Sequence, residues 1–152
     1  MPKLTLARAL AGGAAALVLI QIVPYGRNHT NPPVTGSPDW DSKATEATFD
    51  RVCANCHSNR TVWPWYSNIA PASWLVQNDV DGARAHFNVS EWGANRLNAG
   101  SLASDEVGEG DMPPLQYWLF HPEARLNEQE KAAFVEGLAK TFPQAPARAK
   151  AP

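Results

Sequence analysis

One pentapeptide constrains the fold of this chain more than any other stretch. Residues Cys53-Ala54-Asn55-Cys56-His57 read C-x-x-C-H and contain both cysteines of the 152-residue chain. This is the attachment pattern of a c-type haem. Two thiols separated by two residues reach one porphyrin edge from a single helical turn, and the adjacent histidine supplies the proximal iron ligand. Cys53 and Cys56 are therefore the predicted thioether anchors of one covalent haem c, and His57 is its predicted first axial ligand.

Three other chemistries use a C-x-x-C pair: a lone disulfide, a redox dithiol and half of a zinc site. A zinc site needs a second ligand pair at matching spacing, and the remaining histidines, His29, His86 and His121, do not pair as H-x3–5-H. A thioredoxin-like dithiol lies between a strand and a helix of a βαβ pattern, which this sequence does not show. Because only 4 of 152 residues are histidine, a histidine directly after the second cysteine favours haem attachment.

The first 27 residues combine a basic start, an apolar run and a basic end. No charged residue occurs between Ala9 and Gly26; this length is at the short end for a membrane-spanning helix and above a usual signal-peptide core. Because no clear A-x-A cleavage site follows, residues 1–27 are predicted to be an uncleaved membrane anchor, with a cleaved signal peptide as the alternative. Lys3 and Arg8 orient the N-terminus towards the cytoplasm, which places the rest in the periplasm, tethered to a bacterial inner membrane.

Composition divides the rest of the chain into three parts. Residues 28–41 have turn and polyproline character without apolar periodicity, which is typical of a flexible linker. Residues 42–143 are predicted to form the haem-binding domain. Residues 144–152 are rich in alanine, proline and basic residues, which predicts a disordered tail.

Helical patterns dominate the predicted domain. Apolar periodicity and capping residues predict helices over residues 42–57 and 73–87, a short helix after Ser90 that reaches Leu97, and a helix from Asn127 to Phe142. The capping residue of the first helix is Ser42 or Thr45, and the apolar face of the last contains Phe134 and Leu138. A proline-punctuated aromatic loop is predicted over residues 61–71, and a mobile loop over residues 100–110.

Met112 is the second residue with a predicted role at the iron. It is the only methionine besides Met1, although protein cores use methionine freely as filler. It precedes two prolines, which restrict the backbone, and ligation by histidine and methionine raises the potential of a haem. Met112 is therefore the predicted distal ligand. His121 is the rival, His86 a more distant one, and a five-coordinate iron the last option.

Further residues are candidates for contacts with the haem. The aromatic loop follows His57 directly, so Trp63, Trp65 and Tyr66 are predicted to wrap its proximal side. A carbonyl of residues 61–71 is expected to accept the Nδ1–H of His57 and fix the ring. The candidates for propionate contacts are Arg84, Trp92 and Arg96.

The motifs taken together resemble one family. They are Cys53-x-x-Cys56-His57-Ser58, Thr61-x-Trp63-Pro64-Trp65-Tyr66-Ser67, Ala70-Pro71-x-Ser73-Trp74, Asn88-x-Ser90-x-Trp92, Met112-Pro113-Pro114 and His121-Pro122-x-Ala124-x-Leu126. The set resembles the bacterial haem-binding domain family of cytochrome-c-like proteins over residues 42–142. The resemblance implies a mostly helical, haem-binding periplasmic domain that is often tethered to the membrane; it implies no particular reaction or partner.

These features predict an all-α, cytochrome-c-like domain around one covalent haem, preceded by a single transmembrane helix. Since no substrate pocket or acid–base set is visible, the expected function is one-electron transfer by a monohaem c-type cytochrome and not enzymatic catalysis. Outside the N-terminal segment the chain has 10 basic and 15 acidic residues. This negative net charge disfavours binding to nucleic acid and suits a redox partner with a basic docking surface. The alternatives are a haem peroxidase, a gas or redox sensor, and a structural haem subunit of a membrane complex.

Overall fold

The computed structural model describes residues 2–93 and 99–143, and these residues form helices and no strand. The predicted all-α fold is thereby confirmed for the described part of the chain. Its α-helices are α1 (Pro2–Leu19), α2 (Lys43–Val52), α3 (Ala54–His57), α4 (Ala72–His86), α5 (Ala103–Glu109), α6 (Leu115–Phe120) and α7 (Glu128–Thr141). Arg96, most of the predicted helix after Ser90 and the predicted tail lie outside the described residues.

The chain divides into two compact units. The first unit comprises Met1–Thr30 and Val62–Gly82, and the second unit comprises Asn31–Thr61 and Ala83–Pro152. The first unit contains α1 and most of α4. The second unit contains α2, α3, α5, α6 and α7, and therefore the C-x-x-C-H motif.

The first unit begins with an apolar helix. The segment Thr5–Ile22, which covers most of α1 and the 3-10 turn after it, has a mean hydropathy of 1.6, and none of it is buried. By length and composition it is able to cross a membrane, although a signal sequence meets the same description. It is the one such helix among the described residues.

Aromatic rings form the centre of the second unit. Phe49 of α2 lies edge-on to Phe87, with 5.8 Å between ring centroids, and Phe142 lies edge-on to Phe87 at 5.2 Å. Edge-to-face contacts of this kind add to the gain from burying the rings. Phe134 and Leu138 of α7 are buried in the same core, as the predicted apolar face of the last helix requires.

Helices α2 and α7 pack closely because a glycine lies between them. A Cβ atom at Gly137 would collide with the side chain of Thr45. The caps of both helices are as predicted: the Ser42 hydroxyl accepts a hydrogen bond from the amide of Thr45. Asn127 and Glu130 form a reciprocal capping box at the start of α7.

Residues 100–110 form a 3-10 turn and α5, so the prediction of a mobile loop here is wrong. Ser104 and Val107, three residues apart, are buried on one face of α5, which packs on α7. Asp105 and Glu106 lie in the first turn of α5, where negative charge stabilises a helix. Small and acidic residues dominate residues 100–110, and only two positions in α5 are buried, both on one face, so the sequence shows no apolar periodicity there.

The second half of the predicted linker is attached to the second unit. The amides of Thr35 and Gly36 both donate to the Ser90 carbonyl, at 2.8 and 3.0 Å. The Trp40 ring lies 5.0 Å from that of Phe49. Residues 33–41 have no regular secondary structure, but hydrogen bonds and ring contacts with other parts of the second unit hold them in place. They therefore differ from the predicted flexible linker.

Candidate functional site

The C-x-x-C-H residues lie on one compact turn. Helix α2 ends at Val52, Cys53 adopts φ −119° and ψ −30°, and α3 follows directly. The Cys53 carbonyl accepts hydrogen bonds from the amides of Cys56, at 3.1 Å, and His57, at 2.9 Å. The helix predicted over residues 42–57 is therefore interrupted at Cys53, and the interruption brings both sulfurs and the imidazole into a single turn.

A main-chain carbonyl orients His57. Its Nδ1 lies 2.9 Å from the carbonyl oxygen of Phe87. Because that oxygen only accepts, Nδ1 carries the hydrogen and Nε2 carries the lone pair of the neutral ring. Burial lowers the pKa of His57, which keeps the ring in the form that binds a metal, while the carbonyls of Phe87 and Ala83 act in the opposite direction. The acceptor lies just after α4, so the prediction that it lies within residues 61–71 is wrong.

Arg84 fixes the chain where it leaves the motif. Its Nε donates to the Ser58 carbonyl at 2.9 Å, and its Nη2 donates to Asn31 Oδ1 at 2.9 Å and to Thr61 Oγ1 at 2.8 Å. Three protein acceptors thus hold the guanidinium against the exit turn. The predicted propionate contact of Arg84 stays a prediction.

A buried polar network continues from this turn. Asn59 is 3% exposed; its Nδ2 donates to the Pro33 carbonyl and to Glu91 Oε1, and its Oδ1 accepts from Asn88 Nδ2 at 2.9 Å. The amide of Asn59 donates to Ser90 Oγ at 3.0 Å. Sequence reasoning missed this residue, and its position two residues after His57 was the only sign of its role.

The cysteines are half-buried thiols. Burial raises the pKa of the Cys53 thiol, and charge at Cys56 raises it further. Redox dithiols need a lowered thiol pKa, so these surroundings do not favour that alternative. Across residues 2–93 and 99–143, no group of three or more His, Cys, Asp or Glu side chains is arranged to hold a metal ion; the zinc site considered above is not formed there.

Helix α6 contacts the motif turn through Tyr117. The Asn55 amide donates to the Tyr117 hydroxyl at 2.8 Å. Burial raises the pKa of Tyr117 to about 12, and charge at both motif cysteines contributes. The Tyr117 ring stacks on His121 with 4.0 Å between centroids, and His121 Nδ1 lies 2.9 Å from Glu123 Oε1. The sequence places Tyr117 only within an aromatic run, so its contact with the motif is a finding of the structure.

Met112 lies on the loop between α5 and α6. Gly110 ends α5 with a positive φ of 91°, a conformation that favours glycine. The Glu106 carbonyl accepts hydrogen bonds from the amides of Gly110, Asp111 and Met112, at 3.0 to 3.2 Å. Met112 itself is 38% exposed. The backbone of the loop is thus fixed locally, and ligation of iron by Met112 stays a prediction.

The predicted aromatic contacts Trp63, Trp65 and Tyr66 belong to the first unit. The Trp63 ring stacks on His29, with 4.6 Å between centroids and an interplanar angle of 9°. Trp65 is 76% exposed and meets Tyr66 edge-on. Contacts of these three residues with a haem stay predictions.

The groups in the second unit fit a haem by their chemistry. Two thiols on one turn match the two vinyl groups of a porphyrin edge, and His57 presents a neutral imidazole whose other nitrogen is already hydrogen bonded. In addition, the indole Nε1 of Trp118 is buried and has no hydrogen-bond partner in the part of the chain that the structure describes. An anionic group such as a propionate would satisfy it.

Comparison with known proteins agrees with this chemistry. A family model described as a haem-binding domain matches residues 15–140. No curated protein sequence and no solved structure is significantly similar to the chain. The matched range contains the motif turn, the Met112 loop and α6, and it begins within α1.

Proposed function

Because the chain belongs to the haem-binding domain family, we propose that it is a membrane-anchored monohaem c-type cytochrome. In this role it carries one electron at a time on the periplasmic side of a bacterial inner membrane. Membership confirms the family that the sequence motifs resemble and identifies haem as the ligand. We propose in addition that the haem is covalently attached, that it transfers electrons, and that the haem-binding domain lies in the periplasm.

The observation that carries the proposal is the motif turn. Cys53 and Cys56 would hold the haem through two thioethers, and His57 would bind the iron through Nε2, since Nδ1 donates to the Phe87 carbonyl. Haem ligated in this way supplies a one-electron Fe(III)/Fe(II) couple. A fixed imidazole suits this task, because its hydrogen bond to a main-chain carbonyl sets the ring orientation and raises its basicity.

The remaining residues of the second unit support a carrier in two ways. Arg84 and Asn59 fix the chain directly after His57, which limits movement of the ligand between redox states. Met112, held by its backbone and half exposed, is the proposed second ligand, and a thioether favours the reduced iron. A filled sixth position would distinguish this protein from a peroxidase or gas sensor.

The proposed anchor is the apolar segment Thr5–Ile22. Its mean hydropathy of 1.6 and its lack of burial suit a lipid environment. Lys3 precedes this segment, and Arg8 lies near its N-terminal end. Both match the positive-inside rule, which gives the proposed periplasmic orientation of the second unit.

The test uses the full chain produced in a host that matures c-type cytochromes. A denaturing gel should retain haem on the polypeptide. The oxidised protein should show the weak red absorption band of iron–sulfur ligation, and the reduced protein should not bind carbon monoxide. Rapid binding of carbon monoxide would contradict the carrier role and favour a sensor or peroxidase, and a denatured chain without haem would contradict covalent attachment.

A further inference from the structure

The chain that leaves α1 is paired with the segment that contains the W-P-W-Y-S motif. Gln21 makes two hydrogen bonds to one residue of that segment: its Nε2 donates to the Ala70 carbonyl and its Oε1 accepts from the Ala70 amide, both at 2.9 Å. Arg27 Nη2 donates to the same Oε1 at 3.0 Å. The side chain of Gln21 is therefore fixed on both sides, at the C-terminal end of the apolar helix.

Three further residues close to Gln21 in sequence, Tyr25, Gly26 and His29, also contact this segment. His29 Nε2 lies 3.2 Å from the Ser67 carbonyl, and the His29 ring stacks on Trp63. The Tyr25 carbonyl accepts a hydrogen bond from the Ser73 hydroxyl at 3.4 Å. Gly26, with φ +79°, lies against the Ser73 backbone so closely that a Cβ atom would not fit. The exit of α1 is thus part of a folded unit and not the start of a free tether.

Two stretches of this unit are uncharged and expose apolar side chains. No charged residue occurs between Thr61 and Asn78 or between Ala9 and Gly26. Large apolar side chains are exposed on both stretches: Ile22, Val23, Tyr25, Val62, Trp65, Ile69 and Leu75. Such residues occur singly on the surface of a soluble monomer, whereas tryptophan and tyrosine with aliphatic neighbours are typical of the membrane–water interface.

Two of these residues are placed beside the helix exit by the contacts above. Ile69 immediately precedes Ala70, the partner of Gln21. Trp65 begins the 3-10 turn Trp65–Asn68, which leads directly into Ile69. Trp65 therefore lies five residues before Ala70, the residue that holds the end of the apolar helix.

We infer that residues 62–75 dock the exit of α1 and contact the membrane–water interface through Trp65 and Ile69. The lipid headgroup region is the partner, because the apolar surface continues that of a helix able to cross the bilayer. The W-P-W-Y-S motif then serves membrane docking, and α1 is retained in the mature protein. The family match, which begins within α1 at residue 15, agrees with this. The inference rests on the membrane anchor of the proposed function and not on its redox chemistry.

The test measures how deep residue 65 lies in a bilayer. The full chain, matured with haem, is reconstituted in vesicles of phosphatidylcholine and phosphatidylglycerol, and a nitroxide is attached to Trp65→Cys or, as the matched control, to Asp81→Cys. Asp81 is an exposed charged residue of the same unit. Trp65 is 76% exposed, so its replacement removes little buried surface. For each label we measure the ratio of its collision rate with oxygen to its collision rate with a water-soluble nickel chelate. We expect this ratio to be several-fold higher at position 65 than at position 81.

Equal accessibility of the two labels to the nickel chelate would overturn the inference, as would an intact mass showing that the mature chain begins after Gln21. Wild-type protein provides the separate check on the haem, because its only cysteines are Cys53 and Cys56. If both form thioethers, wild-type protein takes no label. Labelling of the wild type would contradict the proposed function and leave the depth comparison, corrected for that background, still decisive.

Discussion

Two turns of the second unit carry the predicted iron ligands, and they are built differently. The His57 turn is held by groups distant in sequence: the Phe87 carbonyl, the Arg84 guanidinium, and the side-chain amide of Asn88, which donates to Asn59. The Met112 turn is held by one carbonyl only a few residues away, that of Glu106.

This difference predicts which turn responds to mutation by unfolding and which by changing its ligand. Long-range hydrogen bonds between buried groups are costly to break, because the remaining partners stay unsatisfied. The main-chain hydrogen bonds to the Glu106 carbonyl do not depend on which side chain stands at position 112. We therefore expect substitutions around His57 to lower the free energy of unfolding, and substitution of Met112 to change the spectrum with little loss of stability.

The largest effect should follow removal of both thiols. The double variant Cys53→Ala, Cys56→Ala should lose all covalently bound haem and, with it, much of the stability of a small domain that uses the cofactor as part of its core. Mass spectrometry and a haem-stained denaturing gel measure the attachment. Haem that remained on the denatured double variant would show that the motif turn is not the attachment site.

Next in size is Asn59→Ala, which removes the centre of the network behind His57. We expect a loss of about 3 kcal/mol in the free energy of unfolding, measured with urea, because the Asn88 amide and the Pro33 carbonyl lose a buried partner. The neighbouring variant Arg60→Ala is the control. It breaks only the exposed ion pair with Asp50, so about 0.5 kcal/mol is expected. Equal losses in the two variants would show that the network does not stabilise the turn.

A smaller effect is expected for Arg84→Met, which keeps the alkyl chain and removes the hydrogen bonds to Ser58 and Thr61. The predicted loss is about 1.5 kcal/mol, together with a shift in the electron paramagnetic resonance signature of the ferric iron, since Ser58 directly follows the ligand. Arg51→Met, at the half-exposed pair with Glu130, is the control for a lost arginine. A stability loss without any shift in the resonance would limit Arg84 to a purely structural role.

The same contrast explains how much the sequence could predict. Features encoded within one helical turn were predictable: the motif turn itself, the Ser42 cap and the capping box of Asn127. The partners of the His57 turn were not, because Phe87, Arg84 and Asn88 lie at least 25 residues away in sequence, and only the tertiary fold selects one carbonyl or amide among many. Helix α5 was missed for a related reason: its buried face consists of Ser104 and Val107, too few residues to form a periodic pattern.

The smallest effect on stability, and a sharp test of the contrast, is expected for Met112→Ala. The side chain is 38% exposed and the loop is capped through main-chain atoms, so the loss should stay below about 1 kcal/mol. The haem should remain covalently bound, the potential should fall, and the spectrum should become high-spin or show a replacement ligand.

His121→Ala is the matched variant. Because His121 stacks on Tyr117 and lies beside Glu123, its removal should lower stability and leave the iron–sulfur band in place. An unchanged spectrum in Met112→Ala, with loss of the low-spin spectrum in His121→Ala, would assign the distal ligand to His121. The second ligand would then come from the end of α6, where His121 stacks on Tyr117, and not from the loop after α5.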